Sequence, residues 1–587
     1  MKRKLLSILL TLCLAFSLLP TAALADGEGT QTNDVAQIGG TGYATLQAAI
    51  DAAKSGDTIV LKKSISATEI GEKKQLQFVK ADMNVTLDLN QNTITAEAGE
   101  AIAINAANIT LTVKNGTIEN FAEGSYSDGV YAYKESNNLT LAFENIVLKS
   151  RTQGLAVQGL TSNSNVNIVN SNITSTEGLG IYYPPKSGTL TISDSEITGV
   201  TGIVVKGSNL VVNGEKTIIS GTGPNVDPET YYTGATDGSS TLTETGDAVY
   251  VESGYNDRDI SVSISGGHLN SKNAKAVRMF VKNGENTSAK REISVTGGTF
   301  SSDVSAYVAK GYVQNENGTV EQLGETNAVA KVGDTYYKTL ADAVAAAQDG
   351  DTITLLKDCS SERVNLESKS ITIDLNGNTL TSTSAYGVMF CAKNGHKITV
   401  NGTKEGSKLV GTLMVTNGTD GHIEINGGTY ESSQYCPIYI NGSVSTDNST
   451  LTVKNATITA SNSGSNQDTG CGVYLAGYST SAFENTTVTA PSTGIEIRAG
   501  RLTLTNCNVT GGSGKVTADA NGNGTTVKNA ALAISQHTTK KPIDVTINGG
   551  TFTGTAPIYQ TDVQGTGSSN VKAEVKNGQF NGAVSAA

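Results

Sequence analysis

Tryptophan is absent from this chain of 587 residues, proline occurs only 9 times, and charged residues make up only 16%. With so few charged residues, repulsion between charges cannot keep the chain disordered. The 65 glycines lack the Gly-X-Y period, which excludes collagen. The abundant residues are instead Thr, Asn, Ser, Val, Ile and Gly, which favour short strands and tight turns. Composition therefore predicts an all-β fold.

The N-terminus has the pattern of an export signal. Three cations at positions 2–4 precede an apolar run over 5–19, and Ala23 and Ala25 supply the small residues of a signal peptidase site. The run is too short to span a bilayer, so we expect cleavage after Ala25, export, and no membrane insertion afterwards. Cleavage changes the net charge from −12 to about −15, which disfavours nucleic acid and anionic lipid as partners.

Cysteine is scarce as well, and five of the six cysteines lie beyond the predicted signal. These five are Cys359, Cys391, Cys436, Cys471 and Cys507. Their spacing matches no metal-ligand motif. Because cysteine thiols are among the most buried groups in proteins, we expect buried thiols at these positions.

An internal duplication spans the rest of the chain. Residues 33–62 align without gaps with residues 327–356, and VTLDLNQNTIT from Val85 returns as ITIDLNGNTLT from Ile371. Near the end of each copy, SISGGHL from Ser263 matches TINGGTF from Thr546. Two tandem units therefore explain the length better than three or four unrelated domains.

A shorter repeat runs inside each unit. Similar phrases begin at Gly129, Gly154, Gly180 and Gly202, every 22 to 26 residues. Phrases such as LTVKNGTI, from Leu111, run in step with them, and each places a polar turn between two short alternating strands. Such a strand set cannot bury its apolar face alone, so successive coils must stack. The simplest solenoid of this kind is a right-handed parallel β-helix.

Each unit also opens with an amphipathic segment. Thr45 can cap a helix that carries Leu46, Ala49 and Ile50 on one face, and Thr339 starts the same pattern again. A helix laid over the first coil would cover its apolar end and its unpaired edge. We therefore predict an all-β chain of two tandem right-handed parallel β-helix solenoids, each with a short N-terminal capping helix. The expected boundaries are a signal peptide at 1–25, a linker and the start of the first unit at 26–40, the first unit at 41–322, a linker at 323–335, and the second unit at 336–587.

These phrases resemble known proteins. TLQAAIDAAKSGDTIVL, from Thr45, and its repeat TLADAVAAAQDGDTITL, from Thr339, are similar to the start of right-handed β-helix proteins of the pectin-lyase-like superfamily. The GGTF and NGTI phrases resemble repeats in secreted surface proteins of Gram-positive bacteria. The resemblance implies the fold but not an activity, because this scaffold serves lyases, hydrolases, esterases, adhesins and phage tailspikes.

Polysaccharide chemistry on this scaffold would need outward side chains on consecutive coils. Alternation along the strands points Tyr131 and Tyr182 outward in one column, and Tyr133 and Lys206 outward in the next. Neither column contains a carboxylate, so we expect no acid/base pair there. The tyrosines either offer flat faces to sugars or stabilise the sheet, and the pattern does not decide between these roles.

The second unit has a more polar candidate site. Glu496 and Arg498 are expected to point outward, with Arg501 in the adjoining turn and Tyr474 one coil earlier in the Glu496 column. A Glu beside two Arg could grip an anionic sugar, but on an exposed strand it is more often a solvated ion pair. The sequence signatures of pectate lyases and of polygalacturonase-type hydrolases are absent.

Acidic residues crowd one insertion in the first unit. Asp227, Glu229, Asp237 and Asp247 supply the hard oxygen ligands that Ca²⁺ prefers. Their spacing matches neither an EF-hand nor a nonapeptide repeat, so we expect a solvated acidic loop without a metal, and Ca²⁺ binding is the alternative. We expect no other cofactor.

Together these observations favour a non-enzymatic protein. We expect a monomer that is secreted or associated with the cell surface and that binds polysaccharides or cell-surface glycans as an adhesin-like module. One alternative is a polysaccharide lyase or glycoside hydrolase that acts at Glu496, Arg498 and Arg501, and another is a purely structural spacer. The scarcity of carboxylates and cations favours binding over catalysis.

Overall fold

A computed structural model describes residues 34–124, 126–232, 242–253, 258–281, 289–416, 419–461, 470–567, 569–583 and 585–586. The predicted signal peptide lies outside the described residues. The chain divides into two compact units, the first ending at Val308 with 314–320 added, and the second comprising 309–313 and everything from Glu321 onward. No helix in the described part of the chain is long and apolar enough to cross a membrane.

The first unit is a parallel β-helix whose coils each contribute to two sheets. The long sheet takes two strand segments from most coils, and the short sheet takes one. Neighbouring coils pair in parallel and in register, so that Leu111 lies between Val85 and Leu141. Among the described residues, the long sheet consists of Ala36–Ile38, Thr41–Tyr43, Thr58–Leu61, Asn84–Asp88, Thr93–Ala96, Thr110–Asn120, Thr140–Ser150, Ser164–Val169, Asn172–Ser175, Gly188–Ser193, Glu196–Gly199, Ser208–Asn213, Ile218–Gly221, Ile260–Ser271, Arg291–Phe300, Tyr312–Gln314 and Thr319–Gln322. The short sheet consists of Leu76–Phe78, Glu100–Ile104, Asp128–Ala132, Gln153–Val157, Leu179–Tyr183, Thr201–Val205, Val249–Glu252 and Val277–Phe280.

The second unit repeats this architecture. Its long sheet consists, within the described ranges, of Ala330–Val332, Thr335–Tyr337, Thr352–Leu355, Cys359–Ser361, Ile371–Asp374, Thr379–Ser382, Lys397–Gly402, Lys408–Val410, His422–Gly427, Thr429–Ser432, Thr450–Lys454, Thr457–Ala460, Thr480–Glu484, Thr487–Thr489, Gly500–Thr510, Ile543–Thr553 and Val571–Asn581. Its short sheet consists of Val364–Leu366, Val388–Ala392, Thr412–Val415, Ile438–Ile440, Cys471–Leu475, Thr493–Ile497, Ala530–Ser535, Ala556–Thr561 and Ser585–Ala586. Thr517–Ala518 and Val527–Lys528 form a separate antiparallel pair.

Asparagine makes the bend between the two arms of the long sheet. Asn115, Asn145 and Asn506 have φ angles of 58°, 56° and 51°, in the left-handed region that asparagine tolerates better than most residues. The side chains also stack from coil to coil, since Nδ2 of Asn145 donates to Oδ1 of Asn115 at 3.2 Å. Asn485 and Asn455 make the same bond at 3.3 Å in the second unit. Asparagine therefore both makes this bend within a coil and bonds that coil to the next one.

Each unit begins with the predicted capping helix. The first helix spans Leu46–Ala52, and Oγ1 of Thr45 accepts a hydrogen bond from the amide of Ala48 at 3.2 Å. The helix of the second unit spans Leu340–Ala346, and Thr339 accepts from the amide of Asp342 at 3.1 Å. The other described α-helices, both in the first unit, are Ala67–Ile70 and Pro228–Tyr231. The linker expected at 323–335 is too long, because Ala330–Val332 already pairs with Thr352–Leu355 in the second unit's long sheet.

Inward columns of Leu, Ile and Val fill the interior of both β-helices, and these side chains are almost completely buried. Each such side chain stabilises the fold by about 1.5–3 kcal/mol relative to an exposed one. The repeated glycine phrases mark the corner where the short sheet begins: a Cβ atom at Gly180 would lie 2.4 Å from the carbonyl oxygen of Gly202 in the next coil. Four of the five cysteines are buried as expected, and Cys359 is half-buried.

Candidate functional site

Three tyrosines lie half-buried on the outer face of the first unit's short sheet. Tyr131 and Tyr182 occupy one column, with the fully buried Ala156 between them. Because neighbouring coils are about 4.8 Å apart, the two tyrosines stand about 10 Å apart along the solenoid. The rings of Tyr131 and Tyr133 contact each other, with centroids 4.6 Å apart and planes tilted by 57°. We call Tyr131, Tyr133 and Tyr182 the tyrosine face.

Two carboxylates border the tyrosine face, and neither was predicted from the sequence. Glu100 and Asp128 are paired residues at the first positions of adjacent strands. The hydroxyl of Tyr133 donates to Oε1 of Glu100 at 2.7 Å, and burial together with this bond raises the pKa of Tyr133. Neither acid belongs to the two tyrosine columns, in which no carboxylate was expected. Both carboxylates stand at the start of their strands, before the outward tyrosine positions, and this placement brings them beside the tyrosine columns.

Asp128 is the more perturbed of the two acids. It is only 2% exposed, and its carboxylate accepts hydrogen bonds from Thr152 Oγ1 and, at 3.4 Å, from Gln153 Nε2. Burial raises its pKa to about 6, the bond from Thr152 opposes this rise, and the negative charge of Glu100 adds to it. Asp128 is therefore a carboxyl group that titrates near neutral pH beside a second carboxylate.

Further along the same sheet, the outer face is covered rather than exposed. Lys206 points outward as predicted, but it is fully buried and forms an ion pair with the buried Glu252. Its Nζ also donates to the carbonyl of Leu242 at 3.0 Å, and the hydroxyl of Tyr232 donates to Glu252 at 2.7 Å. Tyr232 and Leu242 belong to the acidic insertion, so these buried charges fasten the insertion over the sheet.

The acidic residues of this insertion have other partners than a shared ion. Asp227 caps the helix Pro228–Tyr231 and accepts from the amide of Glu229 at 3.1 Å. Asp247 lies 2.9 Å from Nε of Arg278; burial raises the pKa of Asp247 and the charge of Arg278 opposes the rise. Asp237 lies outside the described residues. No group of three potential metal ligands comes together among the residues that are described. Asp227, Glu229 and Asp247 therefore do not form a Ca²⁺ site in that part of the chain.

In the second unit, the predicted polar site is buried and holds a loop. We call residues 511–529 the anchored loop. Glu496 is fully buried, and its carboxylate accepts from the amide of Thr526 at 2.9 Å, from Thr526 Oγ1 at 2.6 Å and from the amide of Val527 at 3.3 Å. Burial raises the pKa of Glu496, and these hydrogen bonds with the charge of Arg498 oppose the rise. Glu496 and Arg498 are both fully buried, so the expectation of an exposed, solvated ion pair is wrong for Glu496 and Arg498.

Arg498 and Tyr474 complete this anchor. Arg498 is also fully buried and donates to the carbonyls of Gly524 at 2.7 Å and Asn521 at 2.8 Å. The Tyr474 hydroxyl accepts from the amide of Gly524 at 3.0 Å and from Arg498 at 3.3 Å. Tyr474 is therefore an interior residue and not part of an open aromatic surface.

Arg501 stands apart from this cluster. Its side chain is 57% exposed, lies 3.9 Å from Asp544, and packs over the ring of Tyr478 at 5.4 Å. Such exposed pairs contribute about 1 kcal/mol or less. Glu496, Arg498 and Arg501 thus do not share one open site.

Comparison with known proteins agrees with the fold. A family model described as the right handed beta helix region matches residues 73–217. Among solved structures, the chain is similar to a mutant of the PL6 family alginate lyase AlyGC, at 10% identity over 92% of this chain and 98% of that chain, with a TM-score of 0.11. So low a TM-score carries no argument about this chain. No curated protein matches it.

Proposed function

We propose that this is a secreted, non-enzymatic β-helical protein that binds neutral glycans, and that the tyrosine face is its binding surface. The observation that carries the proposal is the placement of Tyr131, Tyr133 and Tyr182 together on one half-exposed face. Between Tyr131 and Tyr182 the column holds only the small, fully buried Ala156, so the two rings are the parts of this column that a sugar could contact. A sugar ring can pack its carbon–hydrogen face on a tyrosine there, because aromatic side chains supply a flat apolar surface with a polar tip.

Charge favours a neutral ligand over an anionic one. The chain carries a net charge of −12, and Glu100 lies directly beside the tyrosine face. These negative charges would repel a uronate, whereas a neutral sugar could donate its hydroxyls to Glu100. The proposal also includes export of a monomer that is released or associated with the cell surface, and a role in adhesion; the pattern of an export signal at the N-terminus supports the export.

Binding can be tested on a glycan array, with calorimetry on each hit. Tyr131→Ala and Tyr182→Ala should each weaken binding between about twofold and about tenfold, since loss of one stacking ring costs about 0.5–1.5 kcal/mol. The matched control is Tyr386→Ala, because Tyr386 is 68% exposed and lies in the second unit. Binding that survives both face variants would move the site elsewhere, and a wholly silent array would favour the structural spacer.

The alternative is a glycoside hydrolase or polysaccharide lyase, and one observation now favours a place for it. Glu100 and Asp128 are neighbouring carboxyls beside the tyrosines, and a raised pKa is what a general acid requires. Against it, Asp128 is almost inaccessible. Sustained cleavage of a polysaccharide, lost in Asp128→Asn and kept in Arg498→Lys, would establish the enzyme and end the binding-only proposal.

A further inference from the structure

Two buried cysteines of the second unit belong to one cluster of side chains that is separate from the unit's main core. Cys436 is fully buried and Cys471 is 2% exposed. Both pack within a single group of contacting side chains that includes Tyr439 and Tyr474. Both sulfurs are thiols in this structure.

The strand register, extended two residues before the paired segment, places these cysteines at matching positions on adjacent coils. Ile438 pairs with Val473, and each cysteine lies two residues before its member of this pair. Side chains of these two coils contact each other at a nearby pair of positions. The rings of Tyr439 and Tyr474, each three residues after a cysteine, stack with centroids 4.7 Å apart.

In the first unit, two side chains at the corresponding positions contact each other across adjacent coils. Asp128 and Gln153 each lie two residues before the paired Val130 and Leu155. Their side chains meet across adjacent coils, at 3.4 Å between Gln153 Nε2 and Asp128 Oδ2. Side chains in this column therefore reach one another from coil to coil.

We propose that Cys436 and Cys471 form a disulfide bond that joins two coils of the second unit. Neighbouring parallel strands are about 4.8 Å apart, which falls inside the range of about 4.4–6.8 Å between the Cα atoms of disulfide-bonded cysteines. Such a bond would persist in the oxidising surroundings that the export pattern implies. The proposal does not depend on the ligand of the tyrosine face.

The oxidation balances with a low-molecular-weight disulfide such as oxidised glutathione. One cysteine thiolate attacks a glutathione sulfur, the glutathione S–S bond breaks, and one reduced glutathione leaves. The second thiolate then attacks the protein sulfur of the mixed disulfide and displaces the second glutathione. The two cysteines lose two electrons and two protons, and oxidised glutathione takes up both as two thiols.

The test refolds the full chain from denaturant in a glutathione redox buffer, because the folded protein buries both thiols. Remaining thiols are alkylated after acid quenching, and the unreduced protein is digested with trypsin. Cleavage after Lys454 places the two cysteines on separate peptides. We expect one linked peptide pair joined through Cys436 and Cys471, and an unfolding temperature about 5 °C above that of the reduced protein.

Single variants make the result specific. Cys436→Ser should abolish both the linked peptides and the temperature difference between oxidised and reduced protein. Cys391→Ser and Cys507→Ser, at two other buried cysteines, should leave both unchanged. Alkylation of Cys436 and Cys471 after oxidative refolding, or linkage of either one to a different cysteine, would overturn the proposal.

Discussion

Replacement of Arg498 by alanine is expected to release the anchored loop from the second unit. The buried guanidinium donates to the carbonyls of Gly524 and Asn521 and to the hydroxyl of Tyr474. It also supplies the positive charge that opposes the burial cost of Glu496. The variant leaves that carboxylate buried beside the loop without its cation.

The magnitude follows from the hydrogen bonds and the positive charge that the substitution removes. Each hydrogen bond from a charged donor contributes about 1.5–3 kcal/mol, and breaking a buried charged pair by removing one partner typically costs about 3–5 kcal/mol. A loss of about 3 kcal/mol raises the population of the open loop roughly a hundredfold. The same loss should lower the free energy of unfolding of the second unit if the loop opens together with the sheet.

Limited proteolysis measures the opening directly. Lys515 is an exposed residue of the anchored loop, so trypsin cleaves after it when the surrounding backbone opens. At fixed trypsin concentration, cleavage there should be roughly a hundredfold faster in Arg498→Ala than in the parent protein. The matched control is Arg501→Ala, which removes an exposed contact and should change this rate about fivefold at most.

One outcome would refute this reasoning. If Arg498→Ala is cut after Lys515 at the parent rate and unfolds at the parent temperature, the guanidinium does not hold the loop. Its burial would then need another explanation, and a ligand-binding role for Glu496 and Arg498 would regain support.

Three further predictions concern buried charge and backbone strain. Burial raises the pKa of Asp128 from 3.8 to about 6, so between these pH values the folded state holds a proton that the unfolded state has lost. The free energy of unfolding therefore falls as pH rises through this window, by about 3 kcal/mol at most. Urea unfolding of Asp128→Asn should lack this pH dependence, and an unchanged dependence would contradict the assignment. Lys206→Ala leaves Glu252 buried without its cation and should cost about 3–5 kcal/mol in urea unfolding, whereas the double variant Lys206→Met with Glu252→Leu should recover most of the loss. Asn485 has a φ of 48°, so Asn485→Ala should be about 1 kcal/mol less stable than Asn485→Gly in thermal unfolding, and equal stability would argue against backbone strain.

The β-helix and its caps could be predicted because their signals are local and repeated. Stacked coils impose the same alternation on every repeat and the same turn residue on many of them, so Asn115 and Asn145 carry the pattern within single phrases. The capping helices were equally visible, since Thr45 and its helix lie within one short segment. The glycine phrases repeat because the backbones of neighbouring coils approach closely where the short sheet begins, which recurs on successive coils.

The candidate site could be predicted only in part. Alternation correctly pointed Tyr131 and Tyr182 outward, and they remain half-exposed as a binding surface requires. It did not reveal Glu100 and Asp128, because these acids precede the glycine phrases on which the columns were built. Their proximity to Tyr133 depends on how far each strand extends before the corner.

The two solenoids, their caps, their turns and the direction of each strand residue could be predicted from local sequence patterns. Which of the outward faces are open to solvent could not, because that depends on contacts between remote segments. Glu496 points outward as its strand position demands, yet Thr526, 30 residues later, folds back and buries it. The same is true of Lys206 under Leu242. Strand periodicity records orientation between neighbours along one strand, whereas burial depends on a covering segment that is remote in the chain.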